Sequence, residues 1–394
     1  MLRRKRWPTF LPLLLAGCCA SAGPLIKASP TPDVQAARRE RAVVWYTSLR
    51  RETAGKLIAA FREKHPIDVA VSHGSDVALG SQFLRGVREG RAEVDVLQLT
   101  DPGLLAGLKR RGLLREADVP SRLKVPPWLQ DPEGFWVATH VQTAVLAYRR
   151  DRVQEGSPPR SWRDLADPRF RGRLVLPDPA EGGPAFYWAA AMERLLGRDF
   201  LEALGKNAAA LVSSQEAGER MASGRQAVFA GVSGEEAWRV GRSGQPVETV
   251  VPPEGVPAVP AASALPKGAP HPAAGALFLD FLLSPAAQRV LAEEGFYPAL
   301  PEAGPPAGRT ALDRLRLLQL PWEGTARDGE ALRQRLRQTL KAGASAGVPA
   351  PPPALARAPL RPIPPPSPKA LPADPPHPCG RLISRDPGRT PSGA

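Results

Sequence analysis

Short apolar runs alternate with helical patterns from residue 41 onward, and this alternation constrains the fold more than any other feature of the chain. Each run has the length and composition of a strand, and the residues after it place apolar side chains at helical spacing. The first three runs are RAVVWYT (41–47), IDVAVS (67–72) and VDVLQL (94–99). Three strand–helix units in succession predict a parallel, doubly wound α/β sheet with helices on both faces.

The helix after the third run has ends that the sequence defines well. Asp101 is predicted as its N-cap, and Pro102 lies in the first turn, where a missing amide is tolerated. Gly112 follows three basic residues at the C-terminal end, where cations interact favourably with the helix dipole. We therefore predict a helix that begins directly after Asp101.

A second α/β set begins with FWVATHVQTAVLAYRR (135–150), which we interpret as two strands separated near His140. Its other elements are predicted at 173–177, 184–196, 210–212, 227–232 and 246–252. The chain then returns to helices at 271–283, 285–294 and between 311 and 341. Two sets of domain size predict two lobes that share crossover segments, with residues 41–140 and 258–342 in lobe 1 and residues 141–257 in lobe 2.

The N-terminus has the pattern of an export signal. A basic cluster at residues 3–6 precedes the apolar run FLPLLLAG, which is too short to span a bilayer as a stable helix. The run ends in Leu-Ala-Gly-Cys, which looks like a bacterial lipobox with Cys18 as the lipid-modified residue. We expect a lipoprotein signal peptide at 1–17, a lipid anchor in the membrane, and a flexible tether at 18–40.

Much of the positive charge lies at the two ends of the chain. Residues 343–394 are so rich in proline that we predict a disordered or polyproline tail. The signal and this tail each carry a net charge of +4, which leaves +6 of the total +14 on the body. Because the body shows no basic stripe interleaved with aromatic residues, the sequence argues against a nucleic-acid partner.

The cysteines and histidines argue against two kinds of site. Cys18, Cys19 and Cys379 lie at opposite ends of the chain, so a disulfide framework is not expected. The five histidines have no ligand spacing, which argues against a zinc cage, and we interpret them as surface or loop residues. No Ser/His/Asp arrangement or phosphate-binding Gly-Lys loop stands out, so we predict no enzyme, no cofactor and no metal site.

Several stretches, taken in order, resemble the extracellular solute-binding proteins of ABC importers, in the subgroup with ferric-iron, thiamine, phosphonate and polyamine binders. The resemblance covers residues 41 to 342, and its strongest part is AAGALFLDFLLSPAAQRVLAEEGFYP (273–298). The other matching stretches are VVWYTSL, VDVLQLTDPGLLAGLKRRGLL, FWVATHVQTAVLAYRR, SWRDLADPRFRGRLVLPDP and GRQAVFAGVSGEEAW.

The resemblance implies a two-lobed periplasmic-binding-protein fold of type II, a monomer that closes on one small ligand and passes it to permease subunits in the periplasm or outside the cell. Ligands of open α/β sheets lie at the carboxyl ends of the strands, where loops lead into helix N-termini. The predicted ligand-binding residues lie in these loops: Thr47, Ser48, Gly74, Ser75, Thr100, Gln142, Thr143, Gly182, Gly183, Ser233, Gly234 and Glu235.

Structural roles compete with ligand contact at several of these positions. Ser75 and Asp101 have the residue types of helix N-caps, and we expect Tyr187 and Trp188 to pack in the core or at the lobe interface. The motif VSGEEAW fits a capping box, with Ser233 as N-cap and Glu236 reaching back to its amide. A helix N-terminus favours ionised carboxylates, so Glu235 and Glu236 are not expected to form a catalytic pair.

The resemblance to ferric binders does not extend to their metal ligands. Those proteins carry an acidic ligand and adjacent tyrosines at positions that correspond here to Thr100, Glu236 and Ala237. A hydroxyl and an alanine cannot replace a carboxylate and a phenolate as hard anionic ligands for Fe³⁺. The loops suit instead a small anion such as a phosphonate, phosphate ester or carboxylate, and Glu235 would favour an amine on the same ligand.

Two alternatives to this transport role remain open at this stage. The same clamp could serve as the ligand-sensing subunit of a membrane sensor kinase. It could also bind ferric iron through an atypical site.

Overall fold

The computed structural model describes residues 31–91, 93–153, 157–320 and 322–344. The predicted signal peptide, the lipobox with Cys18 and almost all of the predicted tail lie outside the described residues. The described helices are α1 Val34–Glu40, α2 Arg51–Lys64, α3 Asp76–Arg88, α4 Pro102–Arg110, α5 Gly183–Leu196, α6 Arg198–Asn207, α7 Ser214–Ser223, α8 Gly234–Arg242, α9 Pro272–Leu282, α10 Pro285–Glu293 and α11 Trp322–Ala344.

The described strands run in the order β2-β1-β3-β10-β5-β8-β6-β7 across one continuous sheet, with four short strands paired beside this path. Their bounds are β1 Ala42–Thr47, β2 Asp68–His73, β3 Val96–Leu99, β4 Leu114–Arg115, β5 Trp136–Arg149, β6 Leu174–Pro177, β7 Ala208–Val212, β8 Val228–Ser233, β9 Val247–Val250, β10 Val256–Pro266, β11 Tyr297–Pro298 and β12 Leu317–Leu318. Strand β1 pairs in parallel with both β2 and β3, which confirms the predicted strand–helix units.

Helix ends follow the local chemistry at the positions that the sequence indicated. Asp101 caps α4, with its carboxylate accepting a hydrogen bond from the amide of Leu104 at 3.2 Å. Gly112, just beyond that helix, has a φ of +67°, a conformation that costs glycine little. Ser75 caps α3 through the amide of Ala78, so its predicted structural role is confirmed.

The segment 135–150 is one strand, not two, and the prediction of a break near His140 is wrong. Strand β5 continues from Trp136 to Arg149 because a β-bulge absorbs the irregularity. Its register with β10 shifts between Ala261 and Ala262, which leaves Thr139 as an extra residue. Strands β5 and β10 therefore run antiparallel through the middle of the sheet and connect its two halves.

His140 lies in this buried strand, so its interpretation as a surface or loop residue is also wrong. The side chain is 1% exposed and packs edge-on against Phe296. Its Nδ1 lies 3.1 Å from the hydroxyl of Thr139, and burial lowers the pKa of the imidazole from 6.5 to about 3.

We expect this neutral histidine to make folding sensitive to acid. Between about pH 6 and pH 4 the unfolded chain takes up a proton at His140 and the folded chain does not. The contribution of His140 to stability is therefore complete above pH 6.5 and falls with decreasing pH by about 1.4 kcal/mol per pH unit. His140→Gln should remove this part of the slope when unfolding free energies are measured by urea titration at several pH values. Equal slopes for both proteins would contradict the buried neutral state.

Each half of the sheet has its own apolar core. Near β1 the rings of Trp45 and Phe61 both pack edge-on against Phe278 of α9, at centroid distances of 5.1 and 5.0 Å. In the other half Trp162 and Trp188 lie 6.0 Å apart and are fully buried. The burial of Tyr187 and Trp188 confirms their predicted packing role. Each half also has a second apolar cluster, and this division of the core between the halves supports the two predicted lobes.

Residues 34–40 form a docked helix, so the predicted tether is wrong over this stretch. Ala37 of α1 is fully buried in the first core. The carboxylate of Glu40 accepts hydrogen bonds from the amides of Ala273 and Ala274, at 3.2 and 2.7 Å. These amides belong to the first turn of α9, where an anion is stabilised by the helix dipole. Packing and this cap fix α1 to the body.

Helix α11 departs from the predicted assignment of residues 258–342 to lobe 1. Leu336 and Leu340 are buried in the second core, whereas Arg333 reaches Asp101 of the first half. Arg335 and Arg337 pair with Glu193 and Asp178, which belong to the second half. The amphipathic pattern predicted the helix, but it did not indicate which half of the molecule the apolar face of the helix would pack against.

Among the described residues, no single helix combines the length and apolarity needed to cross a membrane. The bent pair α9 and α10 meets that test by length and composition, and α9 is largely buried in the first core.

Candidate ligand-binding cleft

Loops from both halves of the sheet meet where the strands end. The loops after β1 and β3 approach the start of α5 and α8 from the other half. Because β5 and β10 pass through the middle of the sheet, they form the base of this meeting point. We call the region between the two sets of loops the cleft.

Asp76, at the start of α3, is the centre of the first polar cluster in the cleft. Its carboxylate accepts hydrogen bonds from the amide of Thr100 at 2.9 Å and from its hydroxyl at 2.7 Å. The hydroxyl of Ser48 lies 3.3 Å from that of Thr100. Burial, and then the charge of Asp101, raise the pKa of Asp76 to about 6 against the hydrogen bonds from Thr100 and Ser48.

The N-terminus of α5 lies directly against this cluster. Gly182 and Gly183 both have positive φ, at +82° and +54°. A Cβ on Gly183 would lie 2.8 Å from Oδ2 of Asp76 and 3.1 Å from the hydroxyl of Thr100. Glycine at this position therefore lets the two halves approach closely, which brings the predicted residues Thr100 and Gly183 together.

Asp101 is the second buried carboxylate, and it links three parts of the molecule. It accepts hydrogen bonds from the hydroxyl of Tyr187 and from Nη1 of Arg333, each at 3.0 Å. The hydroxyl of Tyr187 also accepts from the amide of Gly103. Burial raises the pKa of Asp101, while Arg333 and Tyr187 oppose the rise. The arginine balances one of two neighbouring buried carboxylates.

The loop VSGEEAW starts α8, but the predicted capping box does not form. The hydroxyl of Ser233 donates to Oε1 of Glu235 instead of accepting from a helix amide. Glu236 pairs with Arg50 at 3.2 Å across the cleft and with Arg239 one turn later. These charged partners offer Glu236 stronger hydrogen bonds than the Ser233 amide does. The loop is a helix start whose carboxylates face the cleft.

Arg309 joins the cleft from the segment after β11. Its Nη2 donates to the hydroxyl of Thr143 on β5 at 2.8 Å, and its Nη1 donates to the carbonyl of Gly295 at 2.6 Å. The guanidinium stacks over the ring of Tyr297 at 4.3 Å. A Cβ on Gly234 would lie only 2.3 Å from Nη2, so glycine at 234 leaves space for this arginine.

The remaining predicted residues are less well placed. The hydroxyl of Thr47 donates to Gln98 inside the first half and accepts from the amide of Leu49 at 3.1 Å. Ser75 is exposed and occupied as a cap, and Gly74 packs near Leu79. Gln142 is buried in β5 next to Thr143. The structure therefore brings Ser48, Thr100, Thr143, Gly182, Gly183, Ser233, Gly234 and Glu235 toward the cleft.

Sequence reasoning missed three charged residues of the cleft: Arg50, Arg309 and Arg333. The three arginines meet partners 186, 166 and 232 residues away, and no local pattern indicates such contacts. Among the described residues, no group of three His, Cys, Asp or Glu side chains is placed to hold a metal ion.

The fold and cleft define a class of protein: two α/β halves joined through central strands, with polar loops facing each other. The chain belongs to the family of bacterial extracellular solute-binding proteins, whose family model matches residues 94–325. The resemblance that the sequence indicated is thereby confirmed.

Two curated proteins are similar to part of this chain. An Fe(3+)-binding periplasmic protein of Serratia marcescens is 25% identical over 140 residues, which cover 35% of this chain and 40% of that protein. An uncharacterised protein of Haemophilus influenzae is 32% identical over 142 residues, 35% of this chain and 41% of that protein. The aligned part of the chain thus spans about 40% of the length of these curated relatives.

Solved structures support the two-lobed fold over a longer stretch. The periplasmic binding protein AfuA of Actinobacillus pleuropneumoniae, with fructose-6-phosphate bound, is similar with a TM-score of 0.68 at 22% identity, covering 78% of this chain and 99% of that one. Iron-bound HitA of Pseudomonas aeruginosa has a TM-score of 0.65 at 22% identity, covering 75% and 99%. At these identities the likeness establishes the fold.

Proposed function

We propose that this protein is the substrate-binding lipoprotein of an ABC transporter, which captures a small anionic or zwitterionic solute in the cleft and delivers it to permease subunits. It would act as a monomer, facing the periplasm or the cell exterior and held on the membrane through Cys18. It would need no cofactor and perform no chemistry. The ferric-binding and sugar-phosphate-binding relatives support binding rather than catalysis.

The observation that carries this proposal is the convergence of polar groups from both halves on one cleft. Thr100 and Asp76 meet Gly183, and Arg50 meets Glu236, across the boundary between the halves. Contacts of this kind can be exchanged for contacts to a solute when the halves open and close. We propose lobe boundaries at residues 140, 257 and 342. Helix α11 is the exception, because it packs on both halves.

The arginines that lie beside the carboxylates of the cleft favour an anionic or zwitterionic solute over a metal ion. Arg50, Arg309 and Arg333 all enter the cleft. Glu236, at one position where ferric members of the family carry a metal ligand, is held by two arginines. Hard Fe³⁺ needs several free anionic oxygen ligands, which the arginines compete for here. A sugar phosphate in the related AfuA is an example of an anionic ligand in this fold.

A thermal-shift screen tests the proposal against the ferric-iron alternative. Phosphate esters, phosphonates, amino acids, polyamines, thiamine and Fe³⁺ would each be added to the mature protein. A ligand at about 100 times its Kd should add about 2.7 kcal/mol of stability. We expect a shift from an anionic or zwitterionic compound and none from Fe³⁺. A shift with Fe³⁺ alone would favour the atypical ferric site, and no shift with any compound would contradict the proposal.

The sensing alternative requires a test in cells. Deleting the gene should abolish uptake of the identified solute if the protein serves a permease. Normal uptake with a lost transcriptional response would instead identify a ligand-sensing subunit of a membrane sensor kinase.

A further inference from the structure

Arg309 lies at the base of the cleft, and protein groups accept hydrogen bonds from only some of the N–H donors of its guanidinium. A guanidinium has five N–H donors, and two bonds hold this one to Thr143 and Gly295. Stacking on Tyr297 fixes the plane of the group. Burial lowers the pKa of Arg309, opposed by Tyr297 and Glu235, so the charge is only partly compensated by its surroundings. A fixed, desolvated guanidinium is suited to binding a carboxylate or phosphonate in a fork geometry.

Glu235 presents the opposite charge nearby. The residue is 8% exposed, and its Oε1 accepts the hydroxyl proton of Ser233. Its Oε2 is buried and has no hydrogen-bond partner among the described residues. Burial raises the pKa of Glu235, while the hydroxyl of Ser233 and the charge of Arg309 oppose the rise. Arg309 and Glu235 do not form an ion pair in the described part of the chain. A buried carboxylate oxygen without a donor is costly, and a ligand that supplies the donor gains that free energy.

The N-terminus of α5 is a less favourable place for the anionic end of a ligand than the sequence suggested. The carboxylate of Asp76 lies close to Gly183 there, with Asp101 behind it. An incoming anion at that position would meet two carboxylates and one balancing arginine, Arg333. Arg309 is separated from this acidic cluster and lies beside Thr143 and Gly234.

We propose that Arg309 and Glu235 together select a zwitterionic solute, with Arg309 binding its carboxylate or phosphonate end and Glu235 accepting a hydrogen bond from its ammonium end. The inference rests on the proposed function, since it names the ligand class of the same cleft. Gly234 is a positioning residue in this account, because any side chain there would displace the guanidinium.

Matched pairs of small compounds test the selection directly. Calorimetric titration of the mature protein would compare β-alanine with propionate, 2-aminoethylphosphonate with ethylphosphonate, and ethylamine alone. We expect the amino compound of at least one pair to bind about tenfold or more tightly than its partner. The better pair identifies the carboxylate or the phosphonate as the anionic end. Ethylamine should bind far more weakly than either zwitterion.

Variants assign this preference to the two residues. Arg309→Met should weaken binding of the zwitterion about 30-fold or more, and Arg309→Lys should recover part of the loss because the charge remains. Glu235→Gln should bring the amino compound and its partner to nearly equal affinity. Arg314→Met, an exposed arginine five residues from Arg309, is the matched control and should bind as wild type. Circular dichroism would confirm that each variant folds.

Distinct results would overturn the inference and the proposed function. Equal binding of both members of each pair, or unchanged binding by Arg309→Met, overturns the zwitterion selection and leaves an anion-binding transporter subunit intact. If none of these five compounds binds, but a compound of another class shifts the melting temperature in the wider screen, the zwitterion selection alone is overturned. Failure of every compound in both experiments overturns both.

Discussion

Arg333→Met should lower the free energy of unfolding by about 3–5 kcal/mol, the largest effect expected of any single substitution of a charged residue in this chain. Arg333 is 4% exposed, and its Nη1 lies 3.0 Å from Oδ2 of Asp101, which is 1% exposed. Removing it leaves Asp101 and the neighbouring Asp76 as buried carboxylates without a counter-charge. Urea denaturation at pH 7.5 measures the loss.

A double variant and a surface control separate charge from packing. Adding Asp101→Asn to Arg333→Met should recover much of the lost stability, because the uncompensated charge is removed with its partner. Arg335→Met, two residues along the same helix, breaks a half-exposed pair with Glu193 and should cost about 1 kcal/mol or less. Equal losses for Arg333→Met and Arg335→Met would show that the buried pair has no special role.

Gly231→Ala should destabilise the second half by about 3 kcal/mol or more, through backbone strain together with overpacking. Gly231 has a φ of +74°, and a Cβ there would lie 2.2 Å from the indole of Trp188. The indole is fully buried and cannot move without disturbing the core around Trp162. Thermal unfolding followed by tryptophan fluorescence reports the change.

Gly244→Ala is the matched control for that substitution. Gly244 has a φ of +87°, but a Cβ there would have no atom within 4 Å. Gly244→Ala should therefore lower the free energy of unfolding by about 1–2 kcal/mol, from backbone strain alone. The difference between the two variants measures the clash with Trp188, and similar losses would mean that the core adapts to the methyl group.

The parts of the fold that sequence could predict are those decided within a few residues. The alternation of apolar runs and helical spacing gave the strand–helix units and the bounds of most helices, and Asp101 and Ser75 cap their helices as their side-chain chemistry indicates. Two α/β sets of domain size predicted the two lobes, and the family resemblance agreed with them. These elements depend on local hydrogen bonds and on one apolar face each, which the sequence pattern contains.

The features that the sequence did not predict depend on contacts between residues that are far apart in the chain. The VSGEEAW motif has the residues of a capping box, but Glu236 binds Arg50 and Arg239 instead. Residues 34–40 are too short a segment to show a helical period, and Glu40 is fixed by amides more than 230 residues away. Arg309 lies in an irregular segment, so only the folded chain shows that it reaches Thr143.

Hydrogen–deuterium exchange with the strongest stabilising compound tests most directly whether one small solute binds between the two halves. We expect the compound to protect amides of both halves together, in residues 99–104 and 297–311 on one side and in residues 182–188 and 231–238 on the other. Protection confined to one half, or located away from these loops, would contradict a binding site in the cleft.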